Sequence, residues 1–318
     1  MSRKALVVGI DHYTHASPLF GCVNDAHVVN SALERHADGT RNFATKLMTG
    51  TGAVSPVNRR ELRKAAQQLF AGDDEIALFY FAGHGYIEQV GGYLICSDSE
   101  DGNDGFSLNE LVAMANDSKA KSRIIVLDSC HSGIAGNAKP NDEHAIINIG
   151  VTILTASTVK QYAAEKDGSG LFTTLFVDAL NGSASNLLGE VTPGAVYAHI
   201  DQSLGPWDQR PLFKTNVTTF TSLRRVQPPI SLDTLKKLRK YFESPGYELV
   251  LDPSFEPDSP EPDETNNEIF ADLQEMVKVN LVRPVGETHM YFAAMNSKSC
   301  RLTLLGEHYW KLLDAGII

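Results

Sequence analysis

The chain has 318 residues, 42% of them hydrophobic and 21% charged, and a formal net charge of −11, the make-up of a globular protein of one large domain plus a smaller one. An acidic balance of this size excludes general affinity for nucleic acid or anionic membranes, which needs clustered basic surface. The longest apolar runs, 5–10 and 76–82, are strand-length and too short to span a bilayer. With no charged-then-apolar leader at the start, a cytoplasmic protein is expected.

In chain order, residues 4–10 read as a buried strand and 24–36 as a helix with Ala26, Val29 and Leu33 on one face. Ser55-Pro56 predicts a cap followed by proline, opening a helix to about Phe70. Runs 75–81 and 123–127 have the apolar continuity of parallel strands covered on both faces. A short hairpin arm is expected at 91–96, helices at 107–116 and 170–180, and a strand at 150–155. Thr192-Pro193 repeats the cap-plus-proline signal before a helix to about Leu204; 211–219 is a final strand. Strand and helix alternating in this way predict an α/β sandwich, a mainly parallel sheet between two helical layers. The domain reading is 1–226, then a linker over 227–267 containing a helix and an acidic, proline-rich loop, then a small α+β domain over 268–318. In the last part, 281–286 and 289–294 read as short strands, 268–280 and 303–315 as helices, and Tyr309, Trp310 and Leu313 as core.

Four cysteines, Cys22, Cys96, Cys130 and Cys300, are scattered with no C-x-x-C pair. Neither a zinc site nor a disulfide framework is expected, so each is a small core residue or a nucleophile. Two segments share one design, a buried strand running into a glycine-marked polar loop. They are Leu78-Phe79-Tyr80-Phe81-Ala82-Gly83-His84-Gly85 and Ile124-Ile125-Val126-Leu127-Asp128-Ser129-Cys130-His131-Ser132-Gly133. Sites in parallel sheets form beyond the carboxyl ends of strands, so His84 and Cys130 would meet at that edge. A thiol needs a base to become thiolate, and the imidazole can then protonate a leaving amine. The backbone N–H groups of Gly85 and Cys130 are candidate oxyanion donors.

A strand ending in H-G and a later one ending in D-x-C resemble the signatures of the caspase-like (clan CD) cysteine peptidases. Gly21-Cys22-Val23-Asn24-Asp25-Ala26, Asp128-Ser129-Cys130-His131-Ser132-Gly133 and Ser169-Gly170-Leu171-Phe172-Thr173 resemble elements of the metacaspase branch, over about residues 4–220. The resemblance implies a caspase-like fold and a Cys130–His84 dyad, with His131 as the rival base. It implies a substrate pocket made by Asp25, Asp128, Cys22 and Ala82, where the family usually has Ser at the last position. Two carboxylates there suit an Arg or Lys side chain, since a buried charge must be paired. The function implied is peptide-bond cleavage after Arg or Lys in protein substrates, in regulated proteolysis such as stress, defence or cell death. The rival reading is a catalytically silent scaffold acting by protein binding.

Many members of that branch use calcium. Asp98 resembles one ligand, but the others stand as Asn109-Glu110 and Asn137, so no cofactor and no metal site is expected. Lys160 and Lys166 are the candidates for self-cleavage, although a single chain active without maturation is the favoured expectation. Residues 268–318 resemble a winged-helix module in general outline. From 231 to 318 there are nine basic and fifteen acidic residues, so a regulatory module docking an activator or sensor protein is expected rather than nucleic-acid recognition.

Overall fold

The computed structural model describes residues 2–88, 91–129, 135, 137, 146–156, 165–166, 169–205 and 210–318. In chain order the first part contains β1 (Arg3–Ile10), α1 (Cys22–Glu34), β2 (Ala44–Gly50), α2 (Arg59–Phe70), β3 (Ile76–Ala82), β4 (Gly85–Glu88), β5 (Gly91–Leu94), β6 (Phe106–Ser107), α3 (Leu108–Asp117), β7 (Ser122–Asp128) and β8 (Val151–Thr155). It continues with β9 (Glu165–Lys166), β10 (Ser169–Gly170), α4 (Leu171–Asp178), β11 (Glu190–Val191), α5 (Pro193–Ser203), β12 (Leu212–Asn216) and β13 (Arg224–Arg225).

The main sheet has the order β12-β8-β7-β3-β1-β2, all parallel except β12, which runs antiparallel to β8. Its central strands are apolar throughout because helices cover both faces. The two-residue pleat sorts their side chains cleanly. Leu6, Val8, Ile10, Phe79, Phe81, Ile125 and Leu127 enter one core, whereas Ala5, Val7, Leu78, Tyr80, Ala82, Ile124 and Val126 enter the other. Helix α1 lies directly on the β1 backbone: a Cβ at Gly9 would sit 2.2 Å from the Cys22 carbonyl oxygen and 2.7 Å from Ala26 Cβ. The expected α/β sandwich with a mainly parallel sheet is what the chain forms.

Two local expectations are corrected and one strand is added. Helix α2 opens at Arg59, not at Ser55-Pro56, because residues 55–57 are held as a strap: Val57 N–H donates to Ser97 Oγ at 3.1 Å. The Asp98 carboxylate, from a distant loop, then accepts the Arg59 N–H at 3.0 Å in the place of a local cap. Strand β2 was not anticipated; it is an edge strand with only Gly50 fully buried, so it carries no apolar run. Helix α4 ends at Asp178 and continues as a π turn over Ala179–Ser183, with Gly182 at φ 132°.

The chain divides into two compact units, Met1–Ser185 with Gly189–Gln227, and Asn186–Leu188 with Pro228–Ile318. The second contains α6 (Leu232–Lys236), α7 (Leu238–Tyr241), β14 (Glu248–Val250), α8 (Glu264–Lys278), β15 (Val282–Val285), α9 (Met290–Met295), β16 (Ser299–Leu302) and α10 (Leu304–Asp314). Its antiparallel sheet has the order β14-β16-β15. The stretch 227–267 is therefore more than the expected linker: it supplies β14, and Ile230, Leu235, Leu238, Phe242, Leu251 and Phe255 are buried in this unit's core. Its acidic loop is pinned from within, Asp252 accepting the Ser254 N–H at 2.9 Å and Asp263 accepting the Asn266 N–H at 2.9 Å. The apolar run at 289–294 is helix α9 rather than a strand. Met290, Ala293 and Ala294 are buried at helical spacing while Tyr291 and Phe292 are exposed, an arrangement a six-residue run cannot announce. Tyr309 and Leu313 are core as expected, and Trp310 Nε1 donates to the Phe242 carbonyl at 2.7 Å. Among the described residues no helix is long and apolar enough to cross a membrane.

Candidate active site

Strands β3 and β7 are neighbours in register, with Ala82 beside Asp128. Past that pair the Gly83 N–H donates to the Asp128 carbonyl at 3.2 Å. The two glycine-marked loops therefore leave the sheet side by side, one entering His84 and the other Ser129. Gly83 is required by crowding, since a Cβ there would lie 2.7 Å from Tyr13 Oη and 2.9 Å from the Phe81 ring.

His84 is half-buried and held at three points. Its backbone N–H donates to Tyr13 Oη at 2.9 Å, its ring lies 4.7 Å from the Tyr13 ring, and its Nε2 is 2.9 Å from the Ser17 carbonyl oxygen. A carbonyl only accepts, so Nε2 is the donor in this bond and Nδ1 is the ring nitrogen left for another partner. Tyr13 is buried, donates to the Ile10 carbonyl at 3.0 Å, and has its phenol raised well above the usual range, burial being the main cause. Gly85 opens β4 and lines a cleft with His84.

On the sheet face that carries Tyr80 and Ala82, the expected pocket residues come together. Asp25 and Cys22 lie on the first turns of α1, Ala82 ends β3 and Asp128 ends β7, and all four are buried. Asp11 fixes the start of α1, its Oδ1 accepting the Cys22 and Val23 N–H groups at 2.9 and 3.3 Å. Burial raises the Asp11 carboxyl, and these two bonds act against that rise. Gly170 stands between the two pocket acids: its N–H donates to Asp25 Oδ2 at 3.0 Å, and a Cβ on it would meet Asp128 Oδ2 at 2.5 Å and Asp25 Oδ2 at 3.2 Å. Thr173 Oγ1 donates to Asp128 Oδ2 at 2.6 Å. Its single proton is thereby used, so the buried Tyr80 hydroxyl donates to Thr173 in turn. Burial first, then the charges of Asp128 and Asp25, raise the Tyr80 phenol well above its usual range. The arrangement is a pair of buried carboxylates under a fixed set of donors, suited to a cation.

Cys130 and the rival base His131 lie outside the described residues, as does Lys160, and of Lys166 only the backbone is described. The residues matched to calcium ligands have partners within the chain. Asp98 caps α2, Glu110 pairs with Arg63 at 2.5 Å, and Asn137 Oδ1 accepts from Lys214 Nζ at 2.6 Å. No cluster of three or more His, Cys, Asp or Glu side chains arranged for a metal occurs among the described residues.

Sequence reasoning missed Tyr13, the Ser17 carbonyl and the roles of Tyr80, Gly170 and Thr173. Ser17 acts through its backbone, which leaves no side-chain signal. Gly170 and Thr173 stand in a segment singled out for its motif alone, and only the fold shows that they sit on the two acids.

A family model described as the caspase domain matches residues 2–225. Metacaspase-6 of Arabidopsis thaliana is 30% identical over 147 residues, covering 42% of this chain and 39% of that one. Metacaspase-8 of the same plant is 25% identical over 150 residues, covering 42% and 38%. Metacaspase-1 of Kluyveromyces lactis is 26% identical over 215 residues, covering 60% and 46%. The chain thus spans less than half the length of each of these curated relatives. Among solved structures, Caspase-1 from Spodoptera frugiperda superposes with a TM-score of 0.50 at 13% identity, over 70% of this chain and 90% of that one. A Geobacter sulfurreducens protein superposes with a TM-score of 0.53 at 16% identity, over 71% and 100%. The register of β3 against β7, the loop that carries His84, the strand that leads to Cys130 and the match over residues 2–225 lead to one assignment: this chain belongs to the caspase-domain family.

Proposed function

We propose that the chain is a cysteine endopeptidase cleaving protein substrates after Arg or Lys, with Cys130 as nucleophile and His84 as general base and acid. The observation that carries the reading is the setting of His84 at the carboxyl edge of the sheet. Its Nε2 is engaged by the Ser17 carbonyl, and its loop is bonded to the strand end that leads into Cys130. Nδ1 is then the atom that takes the thiol proton. The thiolate sulfur bonds to the scissile carbonyl carbon while the C–N bond breaks, and the proton passes from His84 to the departing amine. Water then attacks the thioester with His84 taking its proton; the C–S bond breaks, and the acid product and the thiol are restored. The N–H groups of Gly85 and Cys130 are the proposed donors to the oxyanion.

Substrate preference rests on Asp25 and Asp128, which Gly170 and Thr173 hold on one face beside His84. Arg is favoured over Lys because a planar guanidinium can donate to both carboxylates through its fork. No metal is part of this proposal, because the residues matched to calcium ligands are engaged by backbone donors and cations. A cytoplasmic, regulated protease with an activator docking on the C-terminal unit is the wider reading.

The test is hydrolysis of matched fluorogenic peptides ending in Arg, Lys or Asp by wild type, Cys130→Ala and Asp25→Ala. Cleavage after Arg or Lys that vanishes in Cys130→Ala is expected. In Asp25→Ala, kcat/KM on the Arg peptide should fall by about 10²-fold, the scale of removing one partner of a buried charge pair. Cleavage after Asp would refute the acidic pocket and keep the nucleophile. Silence on all three peptides would favour a binding scaffold.

A further inference from the structure

His84 stands where the two faces of the sheet meet at its carboxyl edge. The acidic pair belongs with Cys22, Tyr80 and Ala82 on one face. On the other, which carries Tyr13, Phe81 and Ile95, a cleft of ≈ 360 Å³ opens against the imidazole. Its walls include His15, Ser17, Tyr86, Ile95, Glu100 and Asp101. None of the acidic-pair residues lines it.

The cleft is built rather than incidental. Gly102 allows the Tyr86 ring to pack against the 3₁₀ turn Gly102–Asp104, since a Cβ there would fall 2.2 Å from that ring. Asp101 holds the same turn by accepting the Asn103 and Asp104 N–H groups. Ser17, whose carbonyl engages His84, also lines the cleft. Ile95 supplies an apolar floor, and its N–H donates to the His84 carbonyl at 2.9 Å. An aromatic wall, an apolar floor and a rim with two carboxylates suit a peptide segment with a cationic side chain, and they disfavour an acidic one.

We propose that this cleft binds the residues that follow the cleaved bond, with a preference for Lys or Arg among the first of them. The inference rests on His84 as the acid that protonates the leaving amine, because that step places the departing half of the substrate on the imidazole's side. The side chain before the bond enters the acidic pocket on one face, and the chain after it crosses the edge into the cleft on the other.

The test compares two substrates with the same residues up to Arg. One ends in a fluorogenic amide directly after Arg; the other is internally quenched and continues for four residues, with Lys, Gly or Glu in the first two places. For wild type, kcat/KM should rise by about 10-fold from the short substrate to the Lys-containing one and fall again with Glu, the scale of one well-placed subsite contact. In Tyr86→Ala and Glu100→Gln the ratio of extended to short kcat/KM should collapse towards one, and a general loss of folding cancels in that ratio. Ratios equal to wild type in both variants, or no discrimination between Lys and Glu, would overturn the proposal. Absence of cleavage of the short substrate by wild type would instead refute the peptidase reading beneath it.

Discussion

The Tyr13 hydroxyl joins two backbones that the proposed catalytic geometry needs at a fixed distance: it accepts from the His84 N–H and donates to the Ile10 carbonyl. Tyr13→Phe keeps the ring packed on the imidazole and removes only that link. The His84 N–H then loses its acceptor and the loop can settle elsewhere. A shift of a fraction of an ångström at a proton-transfer atom is felt in the chemical step more than in ground-state binding. The expected outcome is a fall in kcat of about 10-fold at unchanged KM. Alkylation of Cys130 by iodoacetamide should slow in parallel, because in the proposed mechanism the same imidazole activates the thiol in both reactions. A fall in thermal midpoint with kcat and alkylation rate intact would mean that Tyr13 serves stability alone. The thiols of Cys96 and Cys300 do not confuse the alkylation, since burial pushes both up to about 12.

At the scale of elements, the central strands were legible because parallel strands covered on both faces must be apolar throughout, as Ile76–Ala82 is. Helices were legible where their cap is local: Ser107 and Thr192 accept from Glu110 and Ala195 N–H groups three residues on. They were misread where the cap is distant, as Asp98 is for α2. The site's residue types were legible from two strand-to-loop junctions, but the partners that orient them, Tyr13 and Thr173, lie 71 and 45 residues away from theirs. Edge strand β12 adds a consequence of burial that sequence could not show. Lys214, on that strand, donates to the Ala135 carbonyl at 2.8 Å, and burial lowers its ammonium from 10.5 to about 8. Between those two values the unfolded chain binds the proton and the folded one does not, so stability should rise with pH across that window. Chemical denaturation at steps from pH 7 to 10 should show this rise in wild type and a flatter dependence in Lys214→Met. Equal slopes in the two proteins would show that Lys214 is not the group responsible.

At the scale of the molecule, the two units are not two consecutive pieces of sequence. Residues Asn186–Leu188 sit within the caspase-domain stretch yet belong to the second unit. Leu187 and Leu188 pack on that unit's core and share an apolar pocket of ≈ 250 Å³ with Pro228, Leu232 and Ile318. A chain ended at Gln227 keeps both leucines and loses every other residue of that pocket. Leu187 and Leu188 are half-buried, so returning them to water forfeits on the order of 1 kcal/mol each, and as a pair they make an exposed apolar spot that favours association. The expected outcome is that residues 1–227 alone bind a hydrophobic dye and self-associate in sedimentation. The same truncated chain carrying Leu187→Ser and Leu188→Ser should stay monomeric and bind the dye weakly. A truncated chain that is monomeric without those substitutions would show that the leucines need no cover. If the substitutions do cure the association, the caspase-domain unit can be assayed alone for the proposed activity, and any difference in kcat/KM between it and the full chain measures what residues 228–318 contribute.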